Sequence, residues 1–249
     1  MSTVMITGCS SGFGLETAEL FLARGWHVVA TMRTPRPALL PASPHLRILP
    51  LDITDPASIA HAVAEAGPID ALVNNAGFGA PVPVELTPLD TARALFETNT
   101  LGTLAMTQAV LPQLRERGSG VIVNVTSSVT LRPLPMVGVY SASKAAVNAF
   151  TQSLALEVEP FGVRVRLVLP GRAPGTRFGA NAGPHLGGQD HPAYAPLVAR
   201  VIEGFRDASG PITEAADVAE AVWQAVTDPA TPVRTAAGAD AQAWMAAVG

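Results

Sequence analysis

A chain of 249 residues, 48% hydrophobic and only 14% charged, can build a substantial core, which excludes a disordered or fibrous protein. Its formal net charge is −4 and its 16 Lys and Arg are scattered, which argues against a nucleic-acid-binding surface. The single cysteine, Cys9, excludes an internal disulfide and suits a reducing, cytoplasmic setting. Met1-Ser2 leads directly into the apolar TVMIT with no signal-like leader. No unbroken apolar run reaches the roughly 18 residues of a membrane span.

In chain order, the pattern predicts a strand over 3–7, a helix over 13–24 closed by Gly25, and a second strand over 27–31. A third strand follows at 46–51, then a helix started by Asp55-Pro56 and stopped by Gly67. Strands at 69–73, 120–126 and 163–169 are separated by long helices at 88–116 and 139–159, the second stopping at Pro160. A helix beginning near Thr213-Glu214 presents Val218, Ala221, Val222 and Ala225 on one face, and 232–236 is a weaker seventh strand. The strands are almost continuously apolar, as parallel strands covered on both faces are. Alternation of strand and helix predicts an α/β, doubly wound parallel sheet in a single domain. Residues 173–193, rich in Gly and Pro, break the pattern and read as a binding loop or lid.

Gly8, Gly12 and Gly14 follow the first strand and open the first helix. Phosphate oxygens need close backbone approach and free N–H donors, which glycines at a helix N-terminus allow. The spacing is G-x-x-x-G-x-G rather than G-x-G-x-x-G, and a tight packing turn is the plainer alternative. Where an acid would bond the ribose 2′-hydroxyl of NAD, the second strand ends in Thr31-Met32-Arg33. A guanidinium there suits the 2′-phosphate, so NADP(H) is favoured over NAD(H); a solvated surface arginine is the bland reading. Asp52 and Asn74-Asn75-Ala76-Gly77 end the third and fourth strands, where such sheets bind ligands. A capping aspartate and a tight turn explain them structurally.

Tyr140 and Lys144 lie four residues apart in a predicted helix, with Ser127 thirteen residues before the tyrosine. Positions i and i+4 share a face, so the ammonium is expected beside the phenol, lowering its pKa toward the range useful for proton transfer. Among the five histidines, no metal-ligand spacing occurs, so no metal site is expected. Leu131, Leu134, Met136 and Val137 precede the tyrosine and suit either a lipophilic pocket or helix packing.

TGCSSGFG (7–14), LDIT (51–54), NNAG (74–77), Asn99, Ser127, YSASK (140–144) and Pro170-Gly171 together resemble the short-chain dehydrogenase/reductases over roughly residues 3–171. The first loop and the VVATMR strand resemble the hydroxysteroid and retinol dehydrogenase branch. The resemblance implies one Rossmann-like domain over 1–249 with a substrate loop around 173–210. It implies Tyr140 as general acid–base, Lys144 as the residue that lowers its pKa, Ser127 holding the substrate oxygen, and Asn99 positioning a relay water. Gly8, Ser11, Gly12, Phe13 and Gly14 would cradle the pyrophosphate. Asp52 and Ile53 would flank the adenine, Asn75, Ala76 and Gly77 the adenosine ribose, and Pro170-Gly171 the nicotinamide. The partners implied are a small carbonyl or alcohol substrate and a second copy of the chain, as homodimer or homotetramer through the two long helices. One departure stands out: Ala173 replaces the usual branched residue after Pro-Gly, and Thr176 comes one position late.

Rival classes are a non-catalytic cofactor sensor on the same fold, and a serine hydrolase using the G-x-S-x-G of residues 8–12. The second lacks the strands that should precede such an elbow. Cys9, at a helix start, is read as a small loop residue rather than a reactive thiol.

Overall fold

The computed structural model describes residues 1–176, 191–206 and 209–248. Strands β1 (Thr3–Ile6), β2 (His27–Met32), β3 (Leu46–Pro50), β4 (Ala71–Asn74), β5 (Gly120–Val125), β6 (Val163–Pro170) and β7 (Arg234–Ala237) form one sheet. Its order is β3-β2-β1-β4-β5-β6-β7, and every pairing is parallel. Among the described residues the α-helices are α1 (Gly12–Ala23), α2 (Pro56–Ala66), α3 (Leu89–Phe96), α4 (Thr103–Arg117), α5 (Gly138–Val158), α6 (Ala195–Arg206), α7 (Ala215–Thr227) and α8 (Ala239–Ala246).

The alternation of side chains along each strand explains the unbroken apolar runs. Val4 and Ile6 of β1 pack with Phe21 of α1 and Val222 of α7 on one face. Met5, between them, packs with Ile59 of α2 and Met106 of α4 on the other. Each such side chain removed from water contributes roughly 1.5–3 kcal/mol. The chain moves outward from β1 to β3 and then restarts on β1's other side with β4. That reversal leaves a crevice beyond the carboxyl ends of β1 and β4, where such sheets receive ligands. Local chemistry sets the helix ends: the Asp55 carboxylate accepts from the Ala57 N–H at 2.9 Å, and Pro56 opens α2.

Two expectations need correction. The helix predicted over 88–116 is interrupted at Glu97–Gly102, which winds as a π-helix between α3 and α4. Thr103 Oγ1 donates to the Asn99 carbonyl of the widened turn at 2.8 Å, and Thr100 Oγ1 ties the turn to the Ser143 carbonyl of α5 at 2.9 Å. Within the expected loop of 173–210, residues 177–190 and 207–208 lie outside the described residues. The described remainder contains α6, tethered at its start by the Tyr194 hydroxyl donating to Glu85.

Candidate active site

The crevice is a groove of about 990 Å³ that runs from the β1–α1 turn to α5. Gly8 and Gly12 sit at φ +76° and +59°, in the left-handed region that side chains rarely adopt. A Cβ at Gly8 would stand 2.9 Å from the Ala76 Cα, so the turn lies directly against the NNAG segment. The Ser11 side chain makes no capping bond and the first turn of α1 holds no acid, which leaves this helix start suited to an anion. Gly14 serves packing instead: a Cβ there would lie 2.5 Å from both the Gly8 carbonyl and Asn75 Nδ2.

Asn75 Nδ2 donates to the Thr7 carbonyl at 2.9 Å, and the Thr7 hydroxyl accepts from the Asn75 and Ala76 N–H groups at 3.0 Å. Thr7 therefore locks β4's exit to β1's; sequence reading missed it, although it closes the apolar run of the first strand. At the far wall, Arg33, Met32 and Ser10 border the groove. Arg36, which sequence reading also missed, donates to the Ser10 carbonyl at 3.0 Å. The Asp52 carboxylate accepts from the Thr54 hydroxyl and N–H at 2.7 and 2.9 Å. Those bonds, with a smaller contribution from the Arg33 charge, hold it below the usual carboxylate range.

At the α5 end the Tyr140 hydroxyl hydrogen-bonds Ser127, whose Oγ also accepts from the Val129 N–H. Lys144 Nζ donates to the Val125 carbonyl at 3.1 Å. A Cβ at Gly77 would lie 2.8 Å from Asn99 Oδ1 and 3.2 Å from Lys144 Nζ. The bare glycine therefore lets both side chains close on the NNAG exit. Asn99 is fully buried in the π-helix. Its amide accepts from the Phe78 N–H at 3.0 Å and donates to the Phe78 carbonyl at 2.9 Å and to Ser143 Oγ at 3.0 Å.

The expected lowering of the tyrosine pKa is not found. Burial pushes the Tyr140 phenol up to about 12, against the opposing Ser127 bond. Burial pulls Lys144 down to about 8. Phenolate and ammonium are both disfavoured in an apolar wall, and the lysine faces a backbone carbonyl.

Of the residues singled out from sequence, Gly8, Ser11, Gly12, Phe13, Arg33, Asp52, Ile53, Asn75, Ala76, Gly77, Tyr140 and Lys144 border the groove. Gly14, Asn99, Ser127, Pro170 and Gly171 do not. Thr176, one residue late in sequence, still borders the groove. A turn absorbs the extra residue, with the Thr176 N–H and hydroxyl donating to the Ala173 carbonyl at 3.2 and 2.9 Å. Leu134 and Val137 pack around Tyr140 with Phe78, Leu86 and Val129. Met136, at φ +65°, accepts from the Val82 N–H through its carbonyl at 2.7 Å.

Cys9 is fully buried, its thiol pushed up to about 12 by desolvation, which suits a packing residue. No histidine borders the groove among the described residues. No group of three metal-ligating side chains occurs among the described residues, and none of their helices is long and apolar enough to cross a membrane. The residue set suits a dinucleotide: a glycine-lined helix start for phosphates, an arginine at one end and a proton-bearing phenol at the other.

The family model for short chain dehydrogenases matches residues 2–185, and the chain belongs to that family. The 3-ketodihydrosphingosine reductase of Bacteroides thetaiotaomicron is 39% identical over 172 residues, covering 68% of this chain and 62% of that protein. The 11-beta-hydroxysteroid dehydrogenase type 2 of Homo sapiens is 39% identical over 182 residues, covering 68% and 44%. The match thus spans less than two thirds of these relatives' own length. Among solved structures, a short-chain dehydrogenase from Streptomyces avermitilis superposes with a TM-score of 0.84 at 33% identity, covering 99% of this chain and 91% of that one. One from Burkholderia cenocepacia, in complex with NADP, gives 0.79 at 29% identity, covering 98% and 91%. A 3-ketoacyl-(acyl-carrier-protein) reductase from Brucella melitensis, complexed with NADH, gives 0.78 at 28% identity, covering 94% and 96%.

Proposed function

We propose that this chain is an NADP(H)-dependent oxidoreductase that interconverts a ketone or aldehyde and an alcohol. The observation that carries the reading is that Tyr140, hydrogen-bonded to Ser127, and Lys144 border one end of a groove whose other end is a glycine turn. A bound nicotinamide supplies or accepts the hydride. In the reducing direction the Ser127 hydroxyl holds the carbonyl oxygen and Tyr140 delivers the proton that completes the alcohol. Lys144 steadies the negative charge left on the phenol. Asn99 fixes the Phe78 backbone beside the groove and, through its carbonyl, helps order a relay water. Pro170-Gly171 flank the nicotinamide. Arg33, on the groove wall at the end of β2, selects the 2′-phosphate, so NADP(H) is preferred. Leu134, Val137, Phe78 and Leu86 around Tyr140 favour a lipophilic substrate. The functional unit is a homodimer or homotetramer through α4 and α5, in a cytoplasmic setting.

The test is consumption of reduced nicotinamide with a panel of ketones, aldehydes and quinones, NADPH and NADH in parallel. Turnover on an apolar carbonyl with NADPH well above NADH is expected. Arg33→Ala should lower kcat/KM with NADPH by about 10- to 100-fold, the worth of a charge-assisted contact, and leave NADH nearly unchanged. Equal losses with both cofactors would remove Arg33 as the selector.

A further inference from the structure

Beyond the catalytic end, the exit of β6 is held by an aspartate that no motif of the chain announces. Asp240 stands in the first turn of α8, buried at 7% exposure, although aspartates are almost never buried without partners. Its carboxylate accepts from the Arg172 N–H at 2.6 Å and the Thr213 hydroxyl at 2.7 Å. Thr213 Oγ1 in turn accepts from the Gly171 N–H at 2.9 Å, and the Thr213 N–H donates to the Arg172 carbonyl at 2.8 Å. The threonine hydroxyl has one proton and also lies 3.0 Å from the Ala237 carbonyl; the charged acceptor is the stronger. Two missing side chains make room: a Cβ on Gly171 would overlap the Asp240 carboxylate, and one on Gly238 would overlap Thr213.

The place of this latch in the fold gives it a consequence. Val125 of β5 pairs with Val168 of β6, so in the same register Pro170 comes level with Ser127, at the Tyr140 end. From Arg172 the chain makes the Ala173–Thr176 turn and reaches the phosphate loop, where a Cβ on Gly12 would lie 3.5 Å from the Thr176 side chain. We propose that Asp240, acting through Thr213, is a positioning residue. It fixes the Gly171–Arg172 backbone, and with it the course of the segment that leads from the Tyr140 end to Thr176 on the groove wall. This rests on the reading that the groove holds a nicotinamide dinucleotide.

Calorimetric titration separates the two halves of the groove, using NADPH as the whole ligand and 2′,5′-ADP as the adenine-end fragment. For Asp240→Ala, the NADPH Kd should rise about tenfold or more, since two charge-assisted bonds are lost, while the 2′,5′-ADP Kd stays within about threefold. Asp240→Asn, which keeps one acceptor, should fall between, and Thr213→Val should follow Asp240→Ala. If Asp240→Ala does not fold, the other two variants decide on the same readouts. Unchanged NADPH affinity would overturn the proposal. So would equal losses for both ligands alongside a lowered Tm, which is what a merely structural role gives. A wild-type chain that binds neither probe would sink the dinucleotide reading and the latch with it. A wild type that binds both, with variants alike, sinks the latch alone.

Discussion

Burial that holds the Tyr140 phenol at about 12 keeps it protonated across the neutral range, the state a proton donor needs. Tyr140→Phe keeps the ring in its apolar surroundings and removes only the hydroxyl. Turnover should fall by about 10²–10⁴-fold, the usual worth of a positioned acid, with NADPH affinity within about twofold. Steady-state rates and a binding titration on the same preparation check this; near-normal turnover would mean that another group delivers the proton. Lys144 carries a different liability. Its folded pKa is about 8 against an ordinary 10.5, so the unfolded chain binds more protons between those values and stability rises with pH there. Below pH 8 the fold must keep a buried ammonium, and that penalty fades as pH rises through the window. Tyr140 acts oppositely at higher pH: its shift from 10 to about 12 stabilises the fold fully below pH 10, and that stability is lost toward 12. Lys144→Met should therefore abolish efficient turnover yet raise stability at neutral pH, by on the order of 1–2 kcal/mol after the lost Val125 bond. Melting curves at about pH 7 and about pH 10 test the sign, since the gain must shrink at the higher pH. A lower Tm at neutral pH would mean that the ammonium stabilises the fold.

At the scale of elements, the β1–α1 turn works because its glycines have two separate duties. Gly8 and Gly12 take left-handed backbone angles on the groove wall, whereas Gly14 lets α1 settle onto the Gly8 carbonyl and Asn75. Neither neighbour can retreat, because one is backbone and the other is bonded to Thr7. Gly14→Ala should cost about 1–3 kcal/mol, as overpacking does, and weaken NADPH binding. Gly175→Ala meets nothing within 4 Å and should be near neutral. Chemical denaturation of the two variants side by side is the check, and equal stabilities would discard the packing role. The glycine turn, all seven strands and the Asp55 cap were legible in the sequence because each is written in local chemistry or in the period of apolar residues. The π-helix around Asn99 was not, since one extra residue in a turn does not disturb an apolar stripe enough to show. Nor were Thr7, Arg36 and Asp240, whose partners lie 25 or more positions away in sequence. Lys144 was legible as a neighbour of Tyr140, but the balance between its charge and burial was not, because desolvation belongs to the packed state.

At the scale of the whole molecule, apolar surface is spread unevenly. Leu156 near the end of α5 is 75% exposed and Leu101 in the π-helix 47%, with Phe161 just beyond α5 at 46%. Single exposed leucines are ordinary on a monomer, but these stand on the two long helical stretches through which association is proposed. If the chain self-associates there, light scattering after size exclusion should give a dimer or tetramer at micromolar concentration. Leu156→Glu should then shift the protein toward monomer, because a carboxylate driven into an apolar contact costs about 2–4 kcal/mol, or a 30- to 1000-fold weaker association. The substitution is far from Tyr140, so NADPH affinity should persist in the monomer while Tm falls with the lost partner. A wild-type chain that elutes as a monomer would make these leucines plain surface, and would leave the groove to be built by one copy alone.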